Sequence, residues 1–252
     1  MLCSAPRLDI QHYAIQQATQ KRYHVPLDNP KRALDVGAGT GVWIMEMASD
    51  FPECEFSGVD IAPLQPTTVL PKNCEFKLAN LLEGLPYPDS YFDYVRHCML
   101  VAAIPKDHWL PYIEECARLC APGGWIEMGE FNGRVYEGGP ACDRLGDLMQ
   151  GGLRKRGLSP ETTEVLDDLM RQAGLVDVQA WQFKLPMGSW GGSSGMLLLK
   201  DMRMIQNALA PMFMSVCGMS QEDVEQQIKQ SEEELETHKA YTILRVYIGR
   251  KP

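Results

Sequence analysis

The chain has 252 residues, 45% of them hydrophobic and 23% charged, with a net charge of −9. That length suits one α/β domain with additional cover and a sizeable core. The acidic balance argues against a nucleic-acid phosphate backbone as partner, no apolar stretch reaches transmembrane length, and eight cysteines and five histidines are scattered without metal-ligand spacing.

Residues 8–23 read as a polar, Gln-rich helix ended by Pro26, Asn29 and Pro30, and residues 8–30 as an N-terminal cover segment. A first strand is expected over 32–36 and its helix over 41–49. A second strand spans 54–60. The stretch 62–71 holds three prolines, so the next helix is expected to be short or absent. Further strands fit 74–78 and 91–96, the latter after the turn Tyr87-Pro88-Asp89-Ser90. A helix over 107–120 stops at Ala121-Pro122-Gly123-Gly124, and a strand over 125–131 follows. Strands alternating with helices predict a doubly wound, mostly parallel sheet of Rossmann-like α/β class, with residues 31–131 as its core.

The basic cluster Arg154-Lys155-Arg156 reads as a solvated helix end, and Ser159-Pro160-Glu161 opens a helix over 158–173. Strands over 176–185 and 241–250 would close the seven-stranded sheet with an antiparallel edge. Between them, residues 187–237 form a long insertion, Gly/Ser-rich and then Met-rich, ending in the acidic run Glu232-Glu233-Glu234. Such an insertion suits a helical lid better than an extension of the sheet. Cys54, Cys98, Cys116 and Cys120 sit in apolar segments, which suits reduced thiols. No signal peptide opens the sequence, so cytosol or nucleus is the expected compartment.

The chemistry concentrates in Leu34-Asp35-Val36-Gly37-Ala38-Gly39-Thr40-Gly41, an apolar run ending in an acid and three glycines at alternate positions. This spacing turns a strand tightly into a helix and brings bare backbone to the helix N-terminus. A dinucleotide fingerprint would place its third glycine at residue 42, which is Val42. Asp35 also stands where a pyrophosphate binder avoids negative charge. S-adenosylmethionine (SAM) fits better, because a helix N-terminus can face its carboxylate while Asp35 attracts its ammonium. Asp60, nineteen residues after Gly41 and at the end of the second strand, is placed to accept bonds from ribose hydroxyls. The bland alternative for Asp60 is an acid capping the following turn.

In the order of these blocks the chain resembles the class I SAM-dependent methyltransferases. More narrowly, it looks like the LaeA-like methyltransferases of filamentous fungi. The resemblance runs from Gln11-His12 through LDVGAGTGVW (34–43), GVDIAPLQP (58–66) and LPYPDSYFDYV (85–95) to APGGWIEMGEF (121–131). It implies that Asp35, Gly37, Gly39 and Gly41 hold the amino-acid part of SAM and Asp60 its ribose. Ile61 would pack on the adenine, Leu81 would supply apolar or backbone contact, and Asn80 stands where relatives often place an acid for the adenine amino group. The leading helix often folds over SAM in this superfamily, which makes His12 and Tyr13 candidate contacts. Their alternative is a surface histidine and a core tyrosine.

Methyl transfer from a sulfonium needs positioning more than side-chain chemistry. A base helps only where the acceptor must lose a proton. His97, expected just past the strand 91–96, is the candidate base; its alternative is a buried histidine that shapes the pocket. Glu127 and Glu130 could meet an acceptor or be structural. The methionines of the insertion could form a pliable wall for an apolar acceptor or merely a core. The expected function is methylation of a small, largely apolar metabolite on oxygen or nitrogen. The alternatives are a LaeA-like regulator working through protein partners, or a SAM fold that holds a substrate for cyclisation.

Overall fold

A computed structural model describes residues 4–66 and 70–252. A seven-stranded sheet runs in the order β3-β2-β1-β4-β5-β7-β6. Its strands are β1 (Arg32–Val36), β2 (Glu55–Asp60), β3 (Cys74–Leu78), β4 (Phe92–Cys98), β5 (Cys120–Phe131), β6 (Val176–Pro186) and β7 (Tyr241–Arg250). β1 pairs in parallel with β2 and β4, β2 with β3, and β4 with β5. The Gly123 N–H bonds the Lys251 carbonyl, and the Lys251 N–H bonds that of Gly124. The start of β5 thus meets the end of β7, so β7 runs antiparallel. The Met187 N–H likewise bonds the Ala240 carbonyl, joining the end of β6 to the start of β7.

The helices are α1 (Ala5–Thr19), α2 (Val42–Asp50), α3 (Trp109–Leu119), α4 (Pro140–Lys155), α5 (Leu166–Gln172), α6 (Gly192–Cys217) and α7 (Gln221–Thr237). None among the described residues is long and apolar enough to cross a membrane. The chain clusters into two compact units: a sheet unit of residues 22–130, 162–181 and 245–252, and a helical unit drawn from residues up to 21, 131–161 and 182–244.

In the sheet unit, alternation along β1 sorts side chains between two cores. Leu34 and Val36 join Trp109, Ile113 and Leu119 of α3. Ala33 joins Trp43, Ile44 and Met47 of α2. In the helical unit, Leu145 of α4, Leu209, Met212 and Phe213 of α6, and Val224 and Ile228 of α7 form a third core. Arg7 and Gln11 of α1 both donate to Asp201 of α6, at 2.9 and 3.1 Å, in a buried cluster. The acidic run is structural in part: Glu234 accepts from the Ala141 and Cys142 N–H groups at the start of α4.

Several expectations are corrected. The leading helix covers Ala5–Thr19 rather than 8–23, ending at Gln20 in a left-handed conformation. The Ala121-Pro122-Gly123-Gly124 segment does not precede β5 but lies within it. Phe92 pairs with Cys120 and Tyr94 with Trp125, so the extra residues bulge out, with Gly123 at φ +79°. The helix expected over 158–173 breaks at Val165 into a short 3-10 turn and α5. The Gly/Ser stretch 188–195 is partly helical, since α6 begins at Gly192. Of helix α4 only the end at Arg154-Lys155-Arg156 was foreseen. Pro140 at its start, Asp143 in its first turn and Arg154-Lys155 in its last were the signals, obscured by Gly146, Gly151 and Gly152. In the proline-rich stretch no helix forms among the described residues; 67–69 lie outside them.

Candidate active site

The glycine turn joins β1 to α2 at the carboxyl end of the parallel strands, where ligands bind in doubly wound sheets. Gly37, Gly39 and Gly41 adopt φ values of +72°, +55° and +76°, a region that strains other residues. The vacant side-chain positions are filled by protein at two of the three. A Cβ at Gly37 would fall 2.5 Å from Leu100 Cδ2, and one at Gly41 would fall 2.4 Å from the Phe76 ring. The absence of side chains at Gly37 and Gly41 therefore serves packing as well as the turn.

Two carboxylates flank the turn. Asp35 is buried on the α2 face of the sheet. Its register partner on β4, Arg96, donates to Asp35 Oδ1 at 2.8 Å and lies 4.3 Å over the Trp43 ring. Burial pushes the Asp35 carboxyl above its usual value, and Arg96 only partly offsets this. Asp60 Oδ2 accepts from the Gly39 N–H at 2.8 Å and Oδ1 from the Ala62 N–H at 2.9 Å. Gln65 Nε2 donates to the Gly39 carbonyl at 2.7 Å, so the peptides on both sides of Gly39 are held. Neither Arg96 nor Gln65 was singled out as a site residue from the sequence. The alternation placing Tyr94 and Arg96 on the Asp35 face was the available signal.

Beyond Asp60, Ile61 is 73% exposed and Leu78, at the end of β3, is 63% exposed. Asn80 caps the next short turn: its Oδ1 accepts from the Leu82 N–H and its Nδ2 donates to Glu83. Leu81 opens that turn and is partly buried against the α3 core.

His97 is placed differently from expectation. β4 extends to Cys98, so His97 lies inside the strand, paired with Val36 and Met128 and 1% exposed. Its Nδ1 is 3.0 Å from Tyr112 Oη of α3, and its Nε2 stands 3.2 Å from Glu130 Oε1, at ion-pair distance. This burial matches the pocket-shaping alternative and leaves the imidazole no exposed edge for an acceptor. Glu127 is also buried: it accepts from the His24 backbone N–H at 2.6 Å and from Tyr94 Oη at 3.1 Å. In the helical unit, Tyr13 is 40% exposed, which corrects the core-tyrosine alternative, and its ring meets His12 edge-on at 5.2 Å. Met187 and Met212 are buried, whereas Met196 and Met214 are exposed, so the methionines serve both as core and as surface. Burial raises the Cys54, Cys98, Cys116 and Cys120 thiols to about 12, which leaves them inert at neutral pH. Among the described residues no group of His, Cys, Asp and Glu side chains could hold a metal ion.

The strand order, the glycine turn and the acid at the end of β2 are arranged as in the Rossmann-like methyltransferase domains of class I, the SAM-dependent kind. Residues 33–124 match the family profile described as a methyltransferase domain. Over the fold as a whole, phosphoethanolamine N-methyltransferase 2 of Haemonchus contortus, solved with phosphomonomethylethanolamine and S-adenosylhomocysteine, superposes with a TM-score of 0.57. It is 16% identical, and the match covers 98% of this chain and 53% of that one. More narrowly, the chain's relatives are LaeA-like and other fungal methyltransferases. Methyltransferase str3 of Strobilurus tenacellus is 38% identical over 128 residues, covering 50% of this chain and 45% of that protein. The laeA protein of Emericella nidulans, named both a protein-methionine methyltransferase and a secondary metabolism regulator, is 27% identical over 272 residues. That match covers 98% of this chain and 70% of that protein.

Proposed function

We propose that this chain transfers a methyl group from SAM to oxygen or nitrogen of a small, largely apolar metabolite. The observation that carries the reading is the left-handed glycine turn with Asp60 bonded to the Gly39 N–H, within a class I domain. The residues present fit SAM. Each carboxylate oxygen has two acceptor lone pairs, so Asp60 can hold the turn and still accept a ribose hydroxyl. Ile61, highly exposed beside it, offers apolar surface to the adenine, with Leu81 beyond. Asn80, already accepting from the Leu82 N–H, has a remaining lone pair for the adenine amino group. The N-terminus of α2, reached through Gly37, Gly39 and Gly41, faces the amino-acid carboxylate. Asp35, balanced by Arg96, acts on the ammonium as part of an ion pair rather than as a bare charge.

SAM, when bound, supplies an electrophilic methyl whose thioether leaving group needs no acid. The chain's contribution is to bind and orient, which can account for much of the acceleration. With His97 buried, a base for a hydroxyl acceptor would come from elsewhere. His12 and Tyr13, partly exposed on α1, are the remaining candidates among those read from the sequence. The helical unit, residues 187–237 foremost, is our proposed source of acceptor selectivity, with its exposed Met196, Met214 and Trp190 as apolar contacts.

A second reading rests on the laeA protein, whose match covers almost all of this chain: the acceptor would be a protein, and the role regulatory. One experiment separates the two. The purified chain is incubated with methyl-labelled SAM and an extract split into small-molecule and protein fractions. Label in an organic-soluble compound supports the metabolite reading, and label in protein the regulatory one. No label in either fraction, with SAM binding measured, would overturn both in favour of a non-methylating use of the fold.

A further inference from the structure

The segment after β4 is held by a carboxylate that neither the glycine turn nor the acceptor chemistry has used. Glu130, near the end of β5, is fully buried. Its Oε1 accepts from the Leu100 N–H at 2.6 Å and its Oε2 from the Val101 N–H at 3.2 Å. A carboxylate astride two consecutive amides fixes both the height and the direction of that turn, with charge-assisted bonds about twice as strong as neutral ones. His97 Nε2 lies 3.2 Å from Oε1, and Tyr112 Oη of α3 lies 3.0 Å from His97 Nδ1.

The turn so held is not a relaxed one. Met99 adopts φ +68°, a left-handed conformation unusual for a long side chain, while its N–H bonds the Gly129 carbonyl. The Ala103 and Ile104 N–H groups then close back on the Leu100 carbonyl. The result places Leu100 Cδ2 where a Cβ on Gly37 would be, 2.5 Å from that position. Leu100 thereby forms a wall of the glycine turn, and Glu130 determines where that wall stands.

We infer that Glu130 is a positioning residue for the amino-acid half of SAM, acting through the Leu100 and Val101 amides to set Leu100 against Gly37. The inference rests on the SAM reading proposed above. Glu130→Gln keeps the volume but replaces one acceptor oxygen with an N–H₂ donor facing a backbone donor. Losing one such bond corresponds to roughly tenfold in affinity.

The test is calorimetric titration of SAM into the full chain, with amide hydrogen exchange as a second readout. Glu130→Gln is expected to weaken SAM binding on the order of tenfold and to release the Leu100 and Val101 amides while those of β1 stay protected. Leu100→Ala leaves the carboxylate and its bonds in place and is expected to weaken SAM binding in the same direction. It decides alone if Glu130→Gln does not fold. Wild-type affinity in Leu100→Ala, or in a folded Glu130→Gln variant whose only defect is a lowered Tm, would overturn the inference and leave the SAM reading standing. Failure of the unmodified chain to bind SAM would instead remove that reading, and this inference with it.

Discussion

The sheet unit and the helical unit solve the burial of polar groups in different ways. In the sheet unit, carboxylates on the strands serve backbone geometry: half-buried Asp60 holds Gly39, and buried Glu130 and Glu127 hold Leu100 with Val101 and His24 respectively. Arg96 and Asp35 pair across β1 and β4 beneath the glycine turn. In the helical unit, buried polar side chains mostly join one helix to another. Arg7 and Gln11 of α1 meet Asp201 of α6, Gln206 of α6 meets Ser231 of α7, and Glu234 of α7 caps α4. The lesson is one of tolerance. A polar group that fixes a turn must keep its place to a fraction of an ångström, whereas helices joined side by side can slide and repack.

The largest effect should come from unbalancing the sheet unit. Arg96→Met leaves Asp35 buried without its partner and is expected to lower stability by about 3–5 kcal/mol at neutral pH. Asp35 already has a raised pKa, so the folded state favours its protonated form, and stability is lost as pH rises through that value. The deficit in Arg96→Met should therefore shrink at acid pH, measured by urea unfolding across a pH series. A deficit that grows with acidity would contradict the assignment.

The matching change in the helical unit is Met212→Ala, at a buried position against Gly152. It should cost about 2–4 kcal/mol. Hydrogen exchange should show the loss concentrated in α4, α6 and α7, with β1 and β4 protected as before; uniform deprotection would erase the distinction between the units. A smaller effect is expected from Gly41→Ala, where φ +76° costs about 1–2 kcal/mol in the backbone alone and the Phe76 ring must also move. SAM titration should show weakened binding there, while Gly151→Ala, in open space within α4, should leave it unchanged.

The smallest sharpens the sheet unit's surface. The hydrogen bond from Arg118 holds the Glu115 carboxyl below its usual 4.5. Its contribution is present above about pH 4.5 and lost as pH falls through the depressed value. Glu115→Gln should lower Tm by an amount equivalent to less than about 1 kcal/mol at neutral pH and converge with the unmodified chain at acid pH.

How much of this was legible differs between the units for the same reason. The glycine turn, Asp35, Asp60 and the limits of β1, β3 and β7 follow from local rules, because a strand's period and a glycine's φ are properties of a few neighbouring residues. The body of helix α4, beyond its basic end, was missed because three glycines lower helix propensity, while its stability comes from packing on α6 and α7. His97 was placed just past β4 because the end of that strand was set two residues short, and strand ends are decided by pairing with β1 and β5.

The sequence by itself determined the class of fold, the parallel run of the first strands and the glycine turn that joins the first of them to a helix. Each of these depends on chemistry carried within one segment. Only the tertiary structure decided which buried charges are partners: Arg96 for Asp35, two backbone amides for Glu130, Asp201 for Arg7. Those pairings join residues that are 61, 30, 29 and 194 positions apart. A buried charge takes whichever partner the fold brings within bonding distance, and no local pattern records that choice.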